Sequence, residues 1–441
     1  MPSTAKAHYD ALPYPRVVVV GGGFAGLEVV QGLAGEPYKV LLLDKQNHHC
    51  FQPLLYQVAT ASLGSDSIAH PFRRTVGPMP NVAYRMAEVL RVVPEERIVE
   101  TTAGNYPYDI LVLALGSATN FYGNLDMSEV AMQLKTISQA LDIRSDFLQD
   151  FEAALTMERE SDRRRRLNFV ITGAGPTGVE LAGSLAEIRR TVLKREYREM
   201  DSALMRIVLI DSNDRVLKNF SEKASSNALK YLHELGVEVH LGVRVTGGDD
   251  EHITLDDGRV LETNTVIWAA GVKGVTVPGL EDALNVPASR YEVDRTNALK
   301  GHPDIYVLGD PALMVEDAWP RGQPQVATVA IQHGKHLVKN LRRRAERKEA
   351  LPFSYQHKGS MAVIGRRKAV VDIGKRSFGG TFAWLLWMFV HVIQLVGFRN
   401  RTMVLVNWAW KYLSWKNTIR LIIRPYVRRG TMVTRPFVAS E

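Results

Sequence analysis

Three glycines near the N-terminus have the spacing of a nucleotide-binding turn. Gly21, Gly23 and Gly26 follow the valine run Val17–Val20 and precede a helical pattern. In such a strand–turn–helix the first glycine permits a tight turn, the second lets the backbone approach a pyrophosphate, and the third lets the helix pack on the strand. The helix N-terminus also offers free N–H groups and a positive dipole end to phosphates. The stretch therefore predicts a dinucleotide site at the end of a strand that is buried on both faces.

An acidic residue stands where a ribose partner is needed. A second apolar strand, Val40–Leu43, is followed by Asp44, which lies 21 residues after Gly23. A carboxylate in this position can accept hydrogen bonds from ribose hydroxyls. The strands, glycines, helix and acid together make a much stronger prediction than the glycines alone.

The same pattern occurs a second time. Gly173, Gly175 and Gly178 follow the predicted strand Leu167–Thr172 and begin another helical pattern. The chain is therefore expected to bind two dinucleotides in sites of the same construction.

The second acid indicates which nicotinamide nucleotide binds. Asp211 ends the strand Met205–Ile210 and lies 36 residues after Gly175. Its carboxylate would accept hydrogen bonds from a ribose diol and repel a 2′-phosphate. Ser212 and Asn213 follow, and neither is the Arg that would favour a phosphate. We therefore expect NADH rather than NADPH at this site.

Each glycine pattern and its acid are followed by an apolar strand that ends in glycine. This strand ends at Gly116 after the first pattern and at Gly271 after the second, and a further apolar strand is followed by Gly309 and Asp310. Ligands of open α/β sheets bind at the carboxyl ends of the strands. In a protein with two nucleotides, Asp310 would meet the ribityl or phosphate part of a flavin dinucleotide. The helix that begins within Gln325–Lys335 would favour negative charge on a reduced isoalloxazine through its N-terminal dipole.

Length and element order predict the fold class. A chain of 441 residues is long enough for two or three domains. We expect an α/β protein with two Rossmann-like dinucleotide-binding domains and a C-terminal, membrane-associating helical region. The expected divisions are 1–125 for the first part of the FAD-binding domain, 126–285 for the NADH-binding domain with a helical insertion, 286–350 for the second part of the FAD-binding domain, and 351–441 for the membrane-anchoring region.

Positive charge is concentrated in the C-terminal tail. The net charge is +8, and residues 373–441 carry 11 Lys and Arg against one Glu, which leaves the rest of the chain at −2. Such asymmetry suggests an anionic partner surface, either nucleic acid or membrane. Met1–Lys6 has no apolar run, so we expect no secretory signal.

Cysteine and histidine content bounds the chemistry further. The single cysteine, Cys50, excludes an intramolecular disulfide and fits a reducing compartment. His48 and His49 are adjacent, but no further cysteine or acidic cluster surrounds them, so we expect no metal site.

The tail also combines apolar and aromatic residues. Phe378–Gly397 has no formal charge, but its continuously apolar core, Phe382–Val390, is too short to cross a bilayer. Five of the seven tryptophans lie in the tail, and the segments Met403–Trp415 and Lys416–Arg429 mix apolar with basic residues. This favours helices in the headgroup region of an anionic membrane over nucleic-acid binding. Whether part of the apolar run inserts in the membrane or buries a homodimer interface stays open.

Other segments are less distinctive. Residues 45–80 have little periodicity, which predicts a loop with a short helix near Ala69–Val76. Val82–Val93 and Arg97–Thr102 are predicted to be antiparallel strands, and residues 126–165 have a helical period that ends at Arg163–Arg166. A hairpin turn is expected at Asp256–Arg259.

Together these features resemble the type II NADH:quinone oxidoreductases, also called alternative NADH dehydrogenases. The resemblance runs from about residue 15 to about residue 430. It rests on Val20–Leu27, Phe51–Ala59, Leu113–Thr119, Thr172–Leu181, Trp268–Val272, Gly309-Asp310, Ala327–Gly334 and the tail. The two glycine patterns are shared with a wider flavoprotein superfamily, whereas the Phe51–Ala59 segment, the Ala327–Gly334 helix and the tail are more specific.

The resemblance implies a function and a location. It implies non-covalent FAD at the first glycine pattern, NADH at the second, and a quinone beneath the flavin near the membrane. The implied respiratory-chain reaction passes a hydride from NADH to FAD and then two electrons to the quinone. Proton pumping is not expected, because the sequence has no run of polar transmembrane helices. A peripheral homodimer on the cytoplasmic face of the inner (plasma) membrane is implied as well.

The resemblance also implies site residues. Glu180 matches a position linked to the hydride and proton path, and Lys358 resembles a position near the quinone pocket. Gln332 matches the last residue of the family's A-Q-x-A-x-Q segment, whereas Thr328 replaces its first Gln and leaves the quinone contacts open. The residues assigned to FAD are Gly21, Gly23, Phe24, Ala25, Gly26, Asp44, Lys45, Gly116, Gly309, Asp310, Ala327 and Thr328. Those assigned to NADH are Gly173, Gly175, Pro176, Thr177, Gly178, Asp211, Ala270 and Gly271.

Two alternatives remain beside this interpretation. One keeps the enzyme but makes a small iron protein the electron acceptor, and the other is a membrane-bound scaffold that senses nucleotides without turnover. Disulfide reductases and sulfide:quinone oxidoreductases are disfavoured in their usual forms, because they need cysteines that this chain lacks.

Overall fold

The chain folds into two compact units. The computed structural model describes residues 9–414, 420–422 and 425–428. The first unit comprises Met1–Cys50, Ala69–Ala118 and Val272–Lys358, and the second comprises Phe51–Ile68, Thr119–Gly271 and Gly359–Glu441. The chain therefore passes from one unit to the other after residues 50, 68, 118, 271 and 358. The predicted Trp415 and half of the Lys416–Arg429 segment lie outside the described residues.

A six-stranded sheet forms the centre of the first unit. Arg16–Val20 lies between Lys39–Asp44 and Ile110–Leu113, and it pairs in parallel with both. Val82–Met86 extends the sheet on one side and His302–Val307 on the other, also in parallel. These strands therefore bring their carboxyl ends, and the residues that follow them, to one edge of the sheet.

The valine run is buried on both faces of this sheet, as predicted. Val17 and Val19 pack in one apolar cluster, and Val18 and Val20 pack in another on the opposite face. Each buried valine side chain contributes roughly 1.5–3 kcal/mol relative to an exposed one. This burial fixes the position of the turn that follows Val20.

A five-stranded parallel sheet in the second unit repeats the arrangement. Asn168–Thr172, buried along its whole length, lies between Arg206–Asp211 and Thr265–Trp268. Met132–Gln133 and Glu238–Leu241 form its two edges. The predicted duplication of a Rossmann-like sheet is confirmed.

The element bounds of the first unit are as follows. Its helices are Phe24–Gly32, Phe72–Val76 and Ala327–Ala345, with a 3₁₀ turn at Glu281–Ala283. Its remaining strands are His48–Cys50, Ala69–Pro71, Val89–Val93, Ile98–Thr101, Gly104–Pro107, Val272–Gly274, Leu284–Asn285, Arg290–Glu292, Ala298–Leu299 and Ala312–Leu313. Ser117–Thr119 is a short strand at the boundary between the units.

The second unit has the following elements. Its α-helices are Leu55–Ala59, Leu125–Val130, Ile137–Thr156, Glu160–Arg166, Pro176–Ile188, Lys194–Glu196, Glu222–Leu235, Thr381–Gln394 and Phe398–Ser414. Shorter helical turns are Gln52–Leu54, Ser65–Ser67, Arg189–Leu193 and Ser202–Leu204. Its remaining strands are Val245–Gly248, His252–Leu255, Val260–Glu262, Ser360–Gly365, Lys368–Ile373 and Arg376–Gly379. Within the described residues, no helix has both the length and the apolar character that crossing a bilayer would require.

Some local predictions were wrong. Val82–Val93 is two strands: Val82–Met86 runs parallel to Lys39–Asp44, and only Val89–Val93 is antiparallel to its neighbour Ile98–Thr101. The segment expected as a loop after Phe51 contains the helix Leu55–Ala59, because nearly all of its side chains are buried and hold it against other helices. The hairpin turn predicted at Asp256–Arg259 is confirmed, because the strands His252–Leu255 and Val260–Glu262 on either side of it are antiparallel.

A buried ionic cluster holds the last described residues on the second unit. Arg428 Nη2 lies 2.6 Å from Asp150 Oδ2, 2.8 Å from Asp146 Oδ1 and 2.9 Å from Thr265 Oγ1. Arg166 also contacts Asp150, at 3.1 Å. Burial, and next the neighbouring Asp146, raise the pKa of Asp150, while the two arginines lower it. Arg428 therefore compensates two carboxylates that the fold has removed from water.

Replacing Arg428 should destabilise the second unit. We expect Arg428→Met to lower the free energy of unfolding by about 3 kcal/mol at pH 8, because one buried partner is removed and the charges of Asp146 and Asp150 remain. The loss should shrink at pH 5.5, where Asp150 can take up a proton. Urea unfolding at the two pH values measures the effect.

An exposed ion pair of the same unit supplies the control. Arg206 and Glu238 are about 40% exposed and 2.6 Å apart, so Arg206→Ala should cost less than about 1 kcal/mol. Equal losses for the two variants would contradict the role given to Arg428.

Candidate functional site

The first glycine pattern forms a tight turn with open space beside its second glycine. Gly21 has a left-handed backbone, with φ +93°, and a Cβ there would overlap the carbonyl oxygen of Ala114. A Cβ on Gly26 would overlap the carbonyl oxygen of Gly21, so the helix packs on the turn as predicted. A Cβ on Gly23 would have no neighbour within 4 Å. The residues thus leave room for a phosphate group where the sequence predicts one.

Asp44 holds this turn from the neighbouring strand. The N–H of Gly22 donates to Asp44 Oδ2 at 2.6 Å, and the N–H of Gln46 donates to Oδ1 at 2.7 Å. Burial raises the pKa of Asp44, and these backbone donors oppose the rise. Each oxygen keeps a lone pair for a ligand hydroxyl. Lys45 points to the surface instead, where it lies 3.5 Å from Glu88.

The second glycine pattern has the same geometry. Gly173 has φ +104°, and a Cβ there would overlap the backbone of Ala269 and Ala270, while a Cβ on Gly178 would overlap the carbonyl oxygen of Gly173. A Cβ on Gly175 would again have no neighbour within 4 Å. Pro176 and Thr177 begin the helix that follows, and proline is suited to this position because the first N–H of a helix needs no helical partner.

A cavity of about 620 Å³ opens beside the second pattern. Asp211 lies in its wall and accepts hydrogen bonds from the N–H of Ala174 at 2.5 Å and from the N–H and side chain of Asn213, both at 2.7 Å. Tyr122 donates to the carbonyl of Ala270 at 3.3 Å. The other polar and aromatic residues that line the cavity include Thr172, Arg244 and Trp268. Tyr122 and Arg244 were not predicted, because no local pattern connects either residue with the glycines.

Gly271 has no side chain, and this leaves room for Tyr122 in the cavity wall. The hydroxyl of Tyr122 occupies the space that a Cβ on Gly271 would fill. Gly271 and Ala270, both predicted NADH residues, therefore lie beside the same cavity wall as Tyr122.

A hydrogen-bonded set in the first unit positions Gly309 and Asp310. Ser117 Oγ donates to Asp310 Oδ2 at 2.5 Å, and the Gln325 side chain donates to the Asp310 carbonyl at 3.0 Å. The N–H of Gly309 donates to His333 Nδ1 at 3.1 Å. The predicted Asp310 is thus held by Ser117 and Gln325, and Gly309 beside it is held by His333.

His333 stays neutral in this set. It is fully buried, and burial lowers the pKa of its imidazole to about 3. Because Nδ1 accepts from Gly309, Nε2 carries the proton and donates to Gln323 Oε1 at 2.7 Å. His333 lies in the Gln325–Lys335 segment, where the sequence predicts a helix but gives no sign of this buried contact.

The helix Ala327–Ala345 begins at this set, as predicted. A Cβ on Gly309 would lie 3.1 Å from the Cβ of Ala330, so the first turn of the helix lies directly behind Gly309. A Cβ on Gly334 would lie 2.7 Å from the carbonyl oxygen of Ala25, so the helix also packs closely against Phe24–Gly32. Gly116 has φ +70° and no neighbour at its missing Cβ.

Thr328 and Gln332 lie one turn apart and contact the same segment. Thr328 Oγ1 is 2.9 Å from the hydroxyl of Tyr355. The Gln332 side chain donates to the carbonyl of Gln356 at 3.0 Å and accepts from its N–H at 3.1 Å. Both predicted residues therefore hold the stretch that leads to Lys358, whose side chain is exposed.

Glu180 is buried in the second unit, on the helix after the second glycine pattern. Its Oε1 accepts a hydrogen bond from the N–H of Val363 at 3.3 Å. Burial raises the pKa of Glu180 to about 8, although that N–H and the indole of Trp387 favour the charged form. The carboxyl therefore carries a proton at neutral pH.

Aromatic and polar side chains form a buried layer elsewhere in the second unit. Trp387 stacks on His391 at 4.1 Å between ring centroids and contacts Trp408 at 5.6 Å. Trp408 donates to Gln57 Oε1 at 2.8 Å, and Gln57 donates to the hydroxyl of Tyr56 at 2.8 Å. The Phe51–Ala59 segment and the tail, both named for the family resemblance, are thus in direct contact.

The three predicted catalytic residues do not fall in one unit. Gln332 and Lys358 belong to the first unit, with all the predicted FAD residues, and Glu180 belongs to the second, with the predicted NADH residues.

Comparison with known families identifies the chain. Residues 15–334 match the pyridine nucleotide-disulphide oxidoreductase family, and residues 357–417 match the NDH2 C-terminal domain. The type II NADH:quinone oxidoreductase Ndh of Mycobacterium tuberculosis is 36% identical over 421 residues, which cover 90% of this chain and 88% of that protein. The chain belongs to the type II NADH:quinone oxidoreductase family.

Solved structures show the same fold. NDH2 from Plasmodium falciparum, in complex with NADH, superposes with a TM-score of 0.85 at 20% identity, over 93% of this chain and all of that one. The sulfide:quinone oxidoreductase of Aquifex aeolicus superposes with a TM-score of 0.69 at 17% identity, over 91% of this chain and 95% of that one.

Removing His333 should loosen the hydrogen-bonded set around Gly309 and Asp310. His333→Leu leaves the N–H of Gly309 and the oxygen of Gln323 unpaired in the interior, at about 1–3 kcal/mol each. We expect a lower melting temperature and less FAD bound per chain, measured by thermal unfolding and by absorbance of the purified protein. His302→Leu is the control, because His302 pairs with an exposed Asp282. Identical FAD content and melting temperature for the two variants would contradict the role of His333.

Proposed function

We propose that this chain transfers electrons from NADH to a membrane quinone through a non-covalently bound FAD. The observation that carries the proposal is the duplicated turn, in which a backbone N–H of each glycine pattern donates to the acid of the neighbouring strand. One such site serves FAD and the other serves NADH.

The residues of the first unit fit FAD. The open side of Gly23 would accommodate the pyrophosphate, Asp44 would accept from ribose hydroxyls, and the Asp310 carboxylate would accept from the ribityl chain. When bound, FAD would supply the redox chemistry by accepting a hydride and then giving up two electrons and a proton. The protein supplies position and electrostatics, including the N-terminal dipole of the helix that begins at Ala327.

The residues of the second unit fit NADH better than NADPH. Asp211 places a carboxylate in the wall of the 620 Å³ cavity, where a ribose diol can donate to it. A 2′-phosphate there would meet like charge, which disfavours NADPH. Arg244, also in the lining, is the residue that could reduce this preference.

Glu180 would hold the proton that quinone reduction requires. A carboxyl whose pKa is about 8 is mainly protonated at neutral pH and can still release its proton at low cost. Gln332 and Lys358 would act at the quinone side, with Gln332 and Thr328 positioning the segment around Tyr355 and Gln356.

A peripheral membrane surface is proposed for the tail. Helix Thr381–Gln394 exposes one apolar stripe whose residues are 51–69% exposed, namely Phe382, Leu385, Phe389 and Ile393. Helix Phe398–Ser414 adds exposed Leu405, Val406 and Trp410. Such a stripe in a basic tail suits the interface of an anionic membrane, here the cytoplasmic face of the inner membrane. A homodimer that buried the stripe would compete with the membrane for it.

Glu180→Gln tests the proton-holding role. Turnover with quinone should fall about 100-fold, the usual scale for losing a general acid. In the unchanged chain, turnover should decline as the pH rises through about 8, since the protonated carboxyl is the active form. The variant should lose that decline. Steady-state rates between pH 6 and 9 measure both effects.

Glu187 provides a matched control on the same helix. It accepts a hydrogen bond from the N–H of Arg366 at 2.5 Å, much as Glu180 accepts from Val363. Glu187→Gln should keep the pH profile. A profile unchanged in Glu180→Gln would contradict the proposed role.

Leu385→Asp tests the membrane surface. Binding to vesicles with 30% anionic lipid should weaken about tenfold or more, because burying one leucine is worth about 1.5–3 kcal/mol. Leu90 is the matched control, since both leucines are 53% exposed and Leu90 lies in the first unit. Sedimentation with vesicles measures binding. Unchanged vesicle binding together with loss of a dimer in Leu385→Asp would assign the stripe to a homodimer interface instead.

A further inference from the structure

His49 is a buried imidazole that contacts the first glycine turn. It lies on the strand His48–Cys50 and is 2% exposed. Its Nδ1 is 2.9 Å from the carbonyl oxygen of Gly22, and its ring meets that of Phe24 edge to face at 5.3 Å between centroids. The ring thus touches both neighbours of Gly23, the glycine that has open space at the position of its missing Cβ.

The contact with Gly22 decides which nitrogen carries the proton. A carbonyl oxygen only accepts, so Nδ1 must donate to it. Burial lowers the pKa of His49, which keeps the ring neutral. Nε2 is therefore a lone-pair acceptor. Among the described residues, no donor lies within hydrogen-bond distance of this buried atom.

An unpaired acceptor in the interior is costly and calls for a donor. Leaving such a group unsatisfied costs about 1–3 kcal/mol. Metal ligation does not explain the atom, because the described residues contain no group of three metal-ligating side chains. Phosphate oxygens do not explain it either, since an ionised phosphate has no proton to donate. The hydroxyl groups on either side of the pyrophosphate of FAD are donors of the required kind.

We propose that His49 Nε2 accepts a hydrogen bond from a ribose or ribityl hydroxyl of the bound dinucleotide. This inference rests on the proposed function, which places FAD at the first glycine pattern. His49 then acts twice: Nδ1–H holds the turn through Gly22, and Nε2 binds the ligand. His49 is therefore a binding and positioning residue. The sequence carried no sign of this role, because adjacent histidines suggested only a metal site, which was not expected here.

Two substitutions separate these contacts. In His49→Asn the side-chain amide can still reach the carbonyl of Gly22, but no acceptor remains at the position of Nε2. In His49→Gln the amide oxygen can replace the Nε2 acceptor, while the donor near Gly22 is lost. His48→Asn, on the same strand but half-exposed, is the matched control.

The measurement is FAD release from the purified holoenzyme. Free FAD fluoresces more strongly than bound FAD, so its release after dilution can be followed directly. We expect release from His49→Asn to be about tenfold faster than from the unchanged chain, and release from His49→Gln and His48→Asn to stay within about threefold. Slow release from His49→Asn, or faster release from His49→Gln than from His49→Asn, would overturn the proposal.

Equal acceleration in both His49 variants is resolved with ligand analogues. The unchanged chain and His49→Asn are reconstituted with FAD analogues that each lack one ribityl or ribose hydroxyl. The proposal requires one analogue for which the two proteins release at the same rate, and it fails if none behaves so. If the unchanged chain holds no FAD at all, the proposed function fails, which is a different outcome.

Discussion

The structure depends on a hydrogen bond between a glycine turn and the carboxylate at the end of the next parallel strand. Gly22 donates to Asp44 in the first unit, and Ala174 donates to Asp211 in the second. Parallel strands end at one edge of a sheet, so this contact fixes turn, acid and helix N-terminus relative to one another. The same constraint leaves the open sides of Gly23 and Gly175, where a side chain would meet nothing within 4 Å.

Around these turns the fold keeps several ionisable groups uncharged. Burial holds His333 neutral, so that it can accept from Gly309 and donate to Gln323 at the same time. Burial also keeps a proton on Glu180 at neutral pH. Neutral groups can be packed in the interior without a counter-charge, whereas the charged pair Asp146 and Asp150 needs Arg428.

The sequence alone predicted what is local. Both glycine patterns, their acids and the start of the helix at Ala327 are set by a few consecutive residues, and the structure has them where expected. Ser117 against Asp310 and Thr328 against Tyr355 are separated by 193 and 27 residues, and no periodicity announces such pairs. The helix Leu55–Ala59 was missed for a related reason: it is stabilised by tertiary burial rather than by an amphipathic pattern.

Electron transfer from NADH through the flavin to a quinone can be followed by anaerobic absorbance titration of the purified protein. We expect NADH to bleach the flavin band, NADPH to do so far less effectively, and a quinone then to restore the band. A flavin that stays oxidised under excess NADH would contradict electron transfer between the two sites and favour a nucleotide-sensing scaffold. A reduced flavin that quinone cannot reoxidise, but a small iron protein can, would contradict the quinone as acceptor.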